Sequence, residues 1–230
     1  MMPVLLLPGM MCDARLFAPQ IAALSARRAV QVGWIGGHDR VAALADAVLA
    51  NAPPRFALAG LSMGGIVAME ILRRAPERVT RIALMDTNAE AETAEVAAAR
   101  RPQMAAVAEG GLRAVMRDQM KPRYLADGPH RDAILDLCME MAEWQGPEVF
   151  LRQSRALMTR PDQRDTLRGA QIPALILCGE ADRLCPLHRH TAMAALMPQA
   201  DLRVVAGAGH LPTLEQPGAV TEALEAWLAG

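Results

Sequence analysis

The sequence predicts an α/β domain: a mostly parallel sheet of about six strands flanked by helices, with a helical insertion before the fifth strand. Three observations predict it. Short apolar runs alternate with amphipathic stretches, an order that implies a parallel sheet with right-handed crossovers. Most of the apolar runs are continuous rather than alternating, as strands covered on both faces require. The alternation stops between Asp86 and about Gln171, where helical patterns follow one another without a convincing strand.

The first strand is 3–7 (PVLLL), stopped by Pro8-Gly9, and helical spacing follows at 16–26. A second strand at 29–33 (AVQVG) precedes a helix at 40–51. The third strand, 56–60 (FALAG), runs into a helix at 64–74 whose apolar residues Ile66, Val67, Met69, Ile71 and Leu72 recur at helical spacing. The fourth strand is 79–85 (VTRIALM). Helical patterns at 92–108, 111–120, 131–144 and 147–158 come next, punctuated by Pro102, Pro122, Pro129 and Pro147. The fifth strand, 173–178 (PALILC), a helix at 187–196, the sixth strand, 201–206 (DLRVVA), and a helix at 216–228 complete the chain. The expected organisation is one structural domain. Its core is 1–86 and 171–230, and 87–170 is an insertion comprising a cap and a helix returning to the sheet.

Composition narrows the function classes. A net charge of −1 argues against nucleic acid or an anionic membrane as the main partner. Lys121 is the sole lysine, so nearly all positive charge is arginine. The N-terminal MMPVLLLPGMM lacks a basic region and its apolar run is too short for a signal peptide, so the expected location is cytoplasmic. Cys12, Cys138, Cys178 and Cys185 form no CxxC pair and read as free thiols. No HExxH, carboxylate cluster or phosphate-binding glycine loop appears, and neither metal nor cofactor is expected.

The stretch AGLSMGG, residues 59–65, carries the chemistry. A G-x-S-x-G closing a strand and opening a helix is the setting of a nucleophile elbow; the alternative is an ordinary glycine-rich turn. Gly60 and Gly64 would let strand and helix approach closely, lifting the Ser62 hydroxyl above the C-terminal edge of the sheet, where open α/β folds bind ligands. A serine needs a base. His210, in GAGHLP after the last strand, fits that role. His188 and His190 lie in a helical pattern and are expected to face solvent, His130 reads as a surface turn, and His38 as structural. CGEADRLCP after the fifth strand offers Asp182 as the acid, in the chain order Ser62, Asp182, His210. Asp86, at the end of the fourth strand, is the second candidate, its other role being to bind loop amides.

With these residues in place the chain resembles the α/β-hydrolase-fold serine hydrolases over almost its whole length. The matching stretches are LLLPGMMCDARLF, GHD, FALAGLSMGGIVAMEI, LMDT, ILCGEADRLCP and GAGHLPTLEQP. The resemblance implies Ser62 as nucleophile, Asp182 as acid, His210 as base, and the main-chain N–H groups of Met10 and Met63 as oxyanion donors. Pro8-Gly9 stands where the family often has His-Gly, a change that keeps the turn. The family's first antiparallel hairpin is missing, so six parallel strands are expected.

For the substrate, Met11 and Leu211 are candidate contacts beside the catalytic loops. Met104, Met116, Met120, Met139, Met141 and Met158 would either line an apolar pocket or fill the core. Arg100, Arg101, Arg113, Arg117 and Arg123 would bind a carboxylate if turned inward and otherwise form a solvated face. Cys12 reads equally as packing or as a reactive thiol. Three functions follow. One is hydrolysis of a small or medium carboxylic ester, thioester or lactone; a second is a lyase or perhydrolase reaction on the same three residues. The third is a ligand-binding regulatory protein with a retained fold. The expected partner is a small-molecule ester, with no nucleic acid and no membrane.

Overall fold

The computed structural model describes residues 1–229. Six strands, β1 (Val4–Leu7), β2 (Val30–Val32), β3 (Phe56–Leu61), β4 (Val79–Met85), β5 (Ala174–Gly179) and β6 (Ala200–Val205), form one sheet in the order β2-β1-β3-β4-β5-β6. Every neighbouring pair is parallel. Each strand of β1, β3 and β5 is buried at every position, which is why these stretches read as unbroken apolar runs. β6 at one edge is largely exposed, with only Val205 buried.

Helices cover both faces. Between strands lie α1 (Ala18–Leu24), α2 (Val41–Asn51) and α3 (Met63–Arg74). The chain between β4 and β5 is wholly helical: α4 (Ala94–Ala108), α5 (Leu112–Val115, running on as a wide turn to Met120), α6 (Arg131–Met158) and α7 (Arg164–Gly169). α6 is two helical arms meeting at Gly146, whose φ of 79° breaks the helix just before Pro147. α8 (Leu187–Leu196), α9 (Pro212–Glu215) and α10 (Pro217–Ala229) complete the chain. Leu5, Leu7 and Leu58 pack with α2 and α3 on one face, whereas Leu6, Ala57, Ala59 and Leu177 pack with α1 and α10 on the other. Each fully buried leucine contributes about 2 kcal/mol. Among the described residues no helix is long and apolar enough to cross a membrane.

Candidate active site

The turn at Ser62 is as tight as a strand-to-helix turn can be. β3 ends at Leu61 and α3 starts at Met63, so Ser62 alone reverses the chain, at φ 55° and ψ −117°. Its N–H donates to the Met85 carbonyl (2.9 Å), and its own carbonyl accepts from the Thr87 hydroxyl (2.7 Å) and the Gly65 N–H (3.0 Å). The glycines around it make this conformation possible. A Cβ on Gly60 would lie 2.4 Å from the Gly64 carbonyl oxygen, and one on Gly64 would lie 2.0 Å from that of Leu7. Strain is concentrated at this edge: Met11, Ser62 and Asp86, which follow β1, β3 and β4, are the non-glycine residues with positive φ among those described.

Ser62 Oγ lies 2.9 Å from His210 Nε2, and His210 Nδ1 lies 2.8 Å from Asp182 Oδ2. The second Asp182 oxygen accepts from the N–H groups of Leu184 (2.7 Å) and Cys185 (3.0 Å). Burial alone would raise the Asp182 carboxyl, but His210 and these two amides outweigh it and hold the group below the usual carboxylate range. Asp86 stands apart from His210. It is fully buried with one oxygen accepting from the Gly179 N–H (2.8 Å), and burial, reinforced by nearby Asp182, pushes its carboxyl well above the usual carboxylate range.

Two residues that the sequence reading passed over hold the site. Glu215, in the LPTLE turn, accepts from the N–H groups of Gly209 (2.8 Å), Leu211 (3.0 Å) and Ala126 (2.8 Å), so one carboxylate fixes both sides of the histidine loop and ties it to the helical segment. Gln153 accepts from the Met11 N–H (2.9 Å) and donates to the Ile35 carbonyl (3.1 Å), pinning the loop after β1. A glutamate in the first turn of a short helix, reaching back to the N–H of the residue before it, resembles helix capping and is the signal the sequence offers for Glu215. Gln153 carries no such signal.

His190 corrects an expectation. It is fully buried rather than exposed, because its face of α8 turns toward the end of β4, where Nε2 accepts the Thr87 N–H (3.1 Å). Burial lowers its pKa to about 4, so it is neutral at pH 7. His38, His130 and His188 are exposed.

A cavity of about 350 Å³ opens over Ser62. Met10, Met63 and Leu211 line it from the sheet side, and Val96, Met120 and Leu157 from the helices. The Met10 and Met63 N–H groups have no protein acceptor among the described residues. Met11 is not at the cavity. Its side chain is fully buried in the core cluster that includes Ile35 and Leu44. Met116, Met139 and Met141 are likewise core, whereas Met104 and Met158 are half-buried. Cys12 lines the cavity, but burial, and then Cys138 and Asp13, push its thiol far up, which makes it packing rather than a nucleophile. Of the arginines considered as carboxylate ligands, Arg100 and Arg123 reach the cavity, as does Arg160 just after α6. Arg113 pairs with Glu143 and Arg117 with Asp118 at the surface. Two groupings, Asp86-Cys178-His190 and Asp182-Cys185-His210, bring possible metal-binding atoms within 4.8 Å of one another. In both, the histidine is already hydrogen-bonded to protein and burial keeps the thiol protonated.

Fold and site together define an α/β hydrolase. Residues 4–223 match the profile of the alpha/beta hydrolase family, and the chain belongs to that family. A thermophilic esterase from Thermogutta terrifontis, solved with malate bound, superposes with a TM-score of 0.91 at 31% identity, covering 100% of this chain and 90% of that one. A pimeloyl-acyl-carrier-protein methyl ester esterase of Aromatoleum aromaticum is 30% identical over 186 residues, 76% of this chain and 74% of its own length. A protein of the same name from Xanthomonas axonopodis pv. citri is 40% identical over 83 residues, so the chain spans only 32% of that relative's length.

Proposed function

We propose that the protein hydrolyses small or medium carboxylic esters, thioesters or lactones through an acyl-enzyme on Ser62. The observation that carries this reading is the unbroken hydrogen-bond chain from Ser62 Oγ through His210 to buried Asp182. In this scheme Nε2 takes the Ser62 proton as Oγ attacks the ester carbonyl, then returns it to the leaving alcohol. Asp182, kept ionised by its two amide donors, holds Nδ1–H and stabilises the imidazolium. The Met10 and Met63 N–H groups receive the oxyanion, each contributing about 3 kcal/mol to the tetrahedral state. Water then repeats the sequence on the acyl-enzyme.

In this reading residues 87–170 are an insertion, part cap and part helix returning to the sheet, on a core made of 1–86 and 171–230. Val96, Met120 and Leu157 support that role, since they give the cavity an apolar lining over Ser62. The enclosed volume favours short and medium acyl groups, and relatives named as methyl ester esterases agree with a small alcohol portion. A series of p-nitrophenyl esters, read as kcat/KM, is expected to peak at short or medium chains. A rise that continues to long chains, or activation by an oil–water interface, would contradict the cap.

A further inference from the structure

The lining of the cavity carries more positive charge than ester hydrolysis uses. Arg100, Arg123, Arg160, Arg183 and Arg189 line it, against one lining carboxylate, Glu92. Glu92 is shared: Arg100 Nε lies 2.9 Å from one of its oxygens and Arg160 lies 3.1 Å from the other. The Glu92 and Arg160 side chains are only 3% and 9% exposed. Arg189 turns to Glu90 (3.0 Å), while Arg123 and Arg183 have no acidic partner among the described residues. Burial, with Arg100 and Arg189 nearby, pulls the Arg160 guanidinium down, and Glu92 opposes this. A tie whose only purpose was to fasten α4 to the end of α6 would balance its charges, because a buried cation short of a counterion is costly. Here one carboxylate faces two guanidiniums, Arg160 Nε also donating to the Glu90 carbonyl (2.9 Å), and two further arginines at the exposed rim of the same cavity have no acidic partner among the described residues.

We infer that the cavity selects esters bearing a second, free carboxylate, which seats against Arg100 and Arg160 with Arg123 and Arg183 at its rim. Guanidinium forks match a carboxylate in two parallel hydrogen bonds, and the enclosed setting strengthens them. The substrate class is then a monoester of a short dicarboxylic acid. Glu92 is a built-in competitor for the same guanidiniums and sets how strongly the free carboxylate is held. This inference rests on the Ser62 reading for the reaction, but the anion site stands on its own residues.

Monomethyl glutarate and dimethyl glutarate present the same methyl ester with and without the distal charge. The wild-type protein is expected to favour the charged ester in kcat/KM by about tenfold or more, chiefly through KM. Arg100→Gln and exposed Arg123→Gln should lower the charged-to-neutral ratio. Glu92→Gln should raise it, a direction that loss of a merely structural tie would not produce. Calorimetry of free glutarate with Ser62→Ala reads the site without turnover, and binding there that Arg100→Gln weakens by about tenfold supports the inference. Equal or better cleavage of the neutral ester, or absence of glutarate binding to Ser62→Ala, overturns it. Should neither ester be cleaved, the Ser62 reading fails for these substrates, and the glutarate titration still decides the anion site.

Discussion

The two walls of the cavity are built differently. The sheet-side wall uses backbone: a strained serine at φ 55°, two free N–H groups, and loops fixed by Glu215 and Gln153. The helical wall uses side chains, with arginines around Glu92 set among apolar residues. The difference teaches where change is tolerated. Backbone donors do not depend on which side chain they carry, so methionines at 10 and 63 are compatible with the proposed oxyanion role, but the chain path permits almost no added atom. The helical wall can change its side chains without moving the reacting groups.

The largest expected effect separates two buried carboxyls of the sheet edge. Asp182→Asn should lower kcat by about 10⁴, because the amide favours the wrong histidine tautomer. Asp86→Asn should cost less than about tenfold, since Asp86 makes no hydrogen bond to His210 and an amide oxygen can still accept from the Gly179 N–H. Comparable losses in both would mean that the two carboxyls act as one unit.

Gly64→Ala tests the intolerance of the chain path. The added Cβ would lie 2.0 Å from the Leu7 carbonyl oxygen, backbone against backbone. A loss of about 3 kcal/mol or more in urea unfolding is expected, whereas Gln119→Ala on the cavity's exposed helical rim should cost less than about 0.5 kcal/mol.

A smaller effect lies in pH dependence. His190 has its pKa lowered to about 4 in the folded protein. The unfolded chain therefore binds the extra proton between about pH 6.5 and 4. Its stabilising contribution is complete above about pH 6.5 and falls by at most about 3 kcal/mol as the pH drops to 4. His190→Gln should flatten that part of the stability profile while keeping an acceptor for the Thr87 N–H. An unchanged slope would show that another group titrates there. Glu215→Gln should cost about 1–2 kcal/mol in stability, because an amide replaces a carboxylate acceptor of three N–H groups.

The sheet was legible because its physics is local. Leu58 and Ile176 belong to runs buried on both faces, and Gly146-Pro147 breaks α6 where the sequence breaks its helical patterns. The triad candidates were legible from strand-end positions in chain order. Met11 was not, since it adjoins Met10 in sequence and only the folded packing buries it in the core rather than at the cavity. His190 has the helical spacing of a surface residue, and only the packing of α8 against the end of β4 buries it. Arg160, Arg183 and Arg189 look like any solvated arginine in sequence. Their place at the cavity depends on how elements distant in the chain meet.

The central claim is that Ser62 is the nucleophile. Its most direct measurement is mass spectrometry of the protein after treatment with a fluorophosphonate, read beside residual esterase activity. One adduct per chain on the Ser62 peptide is expected, forming in step with loss of activity. It should be absent in Ser62→Ala and form far more slowly in Asp182→Asn. An adduct on another residue, or esterase activity that survives full modification of Ser62, would contradict the account.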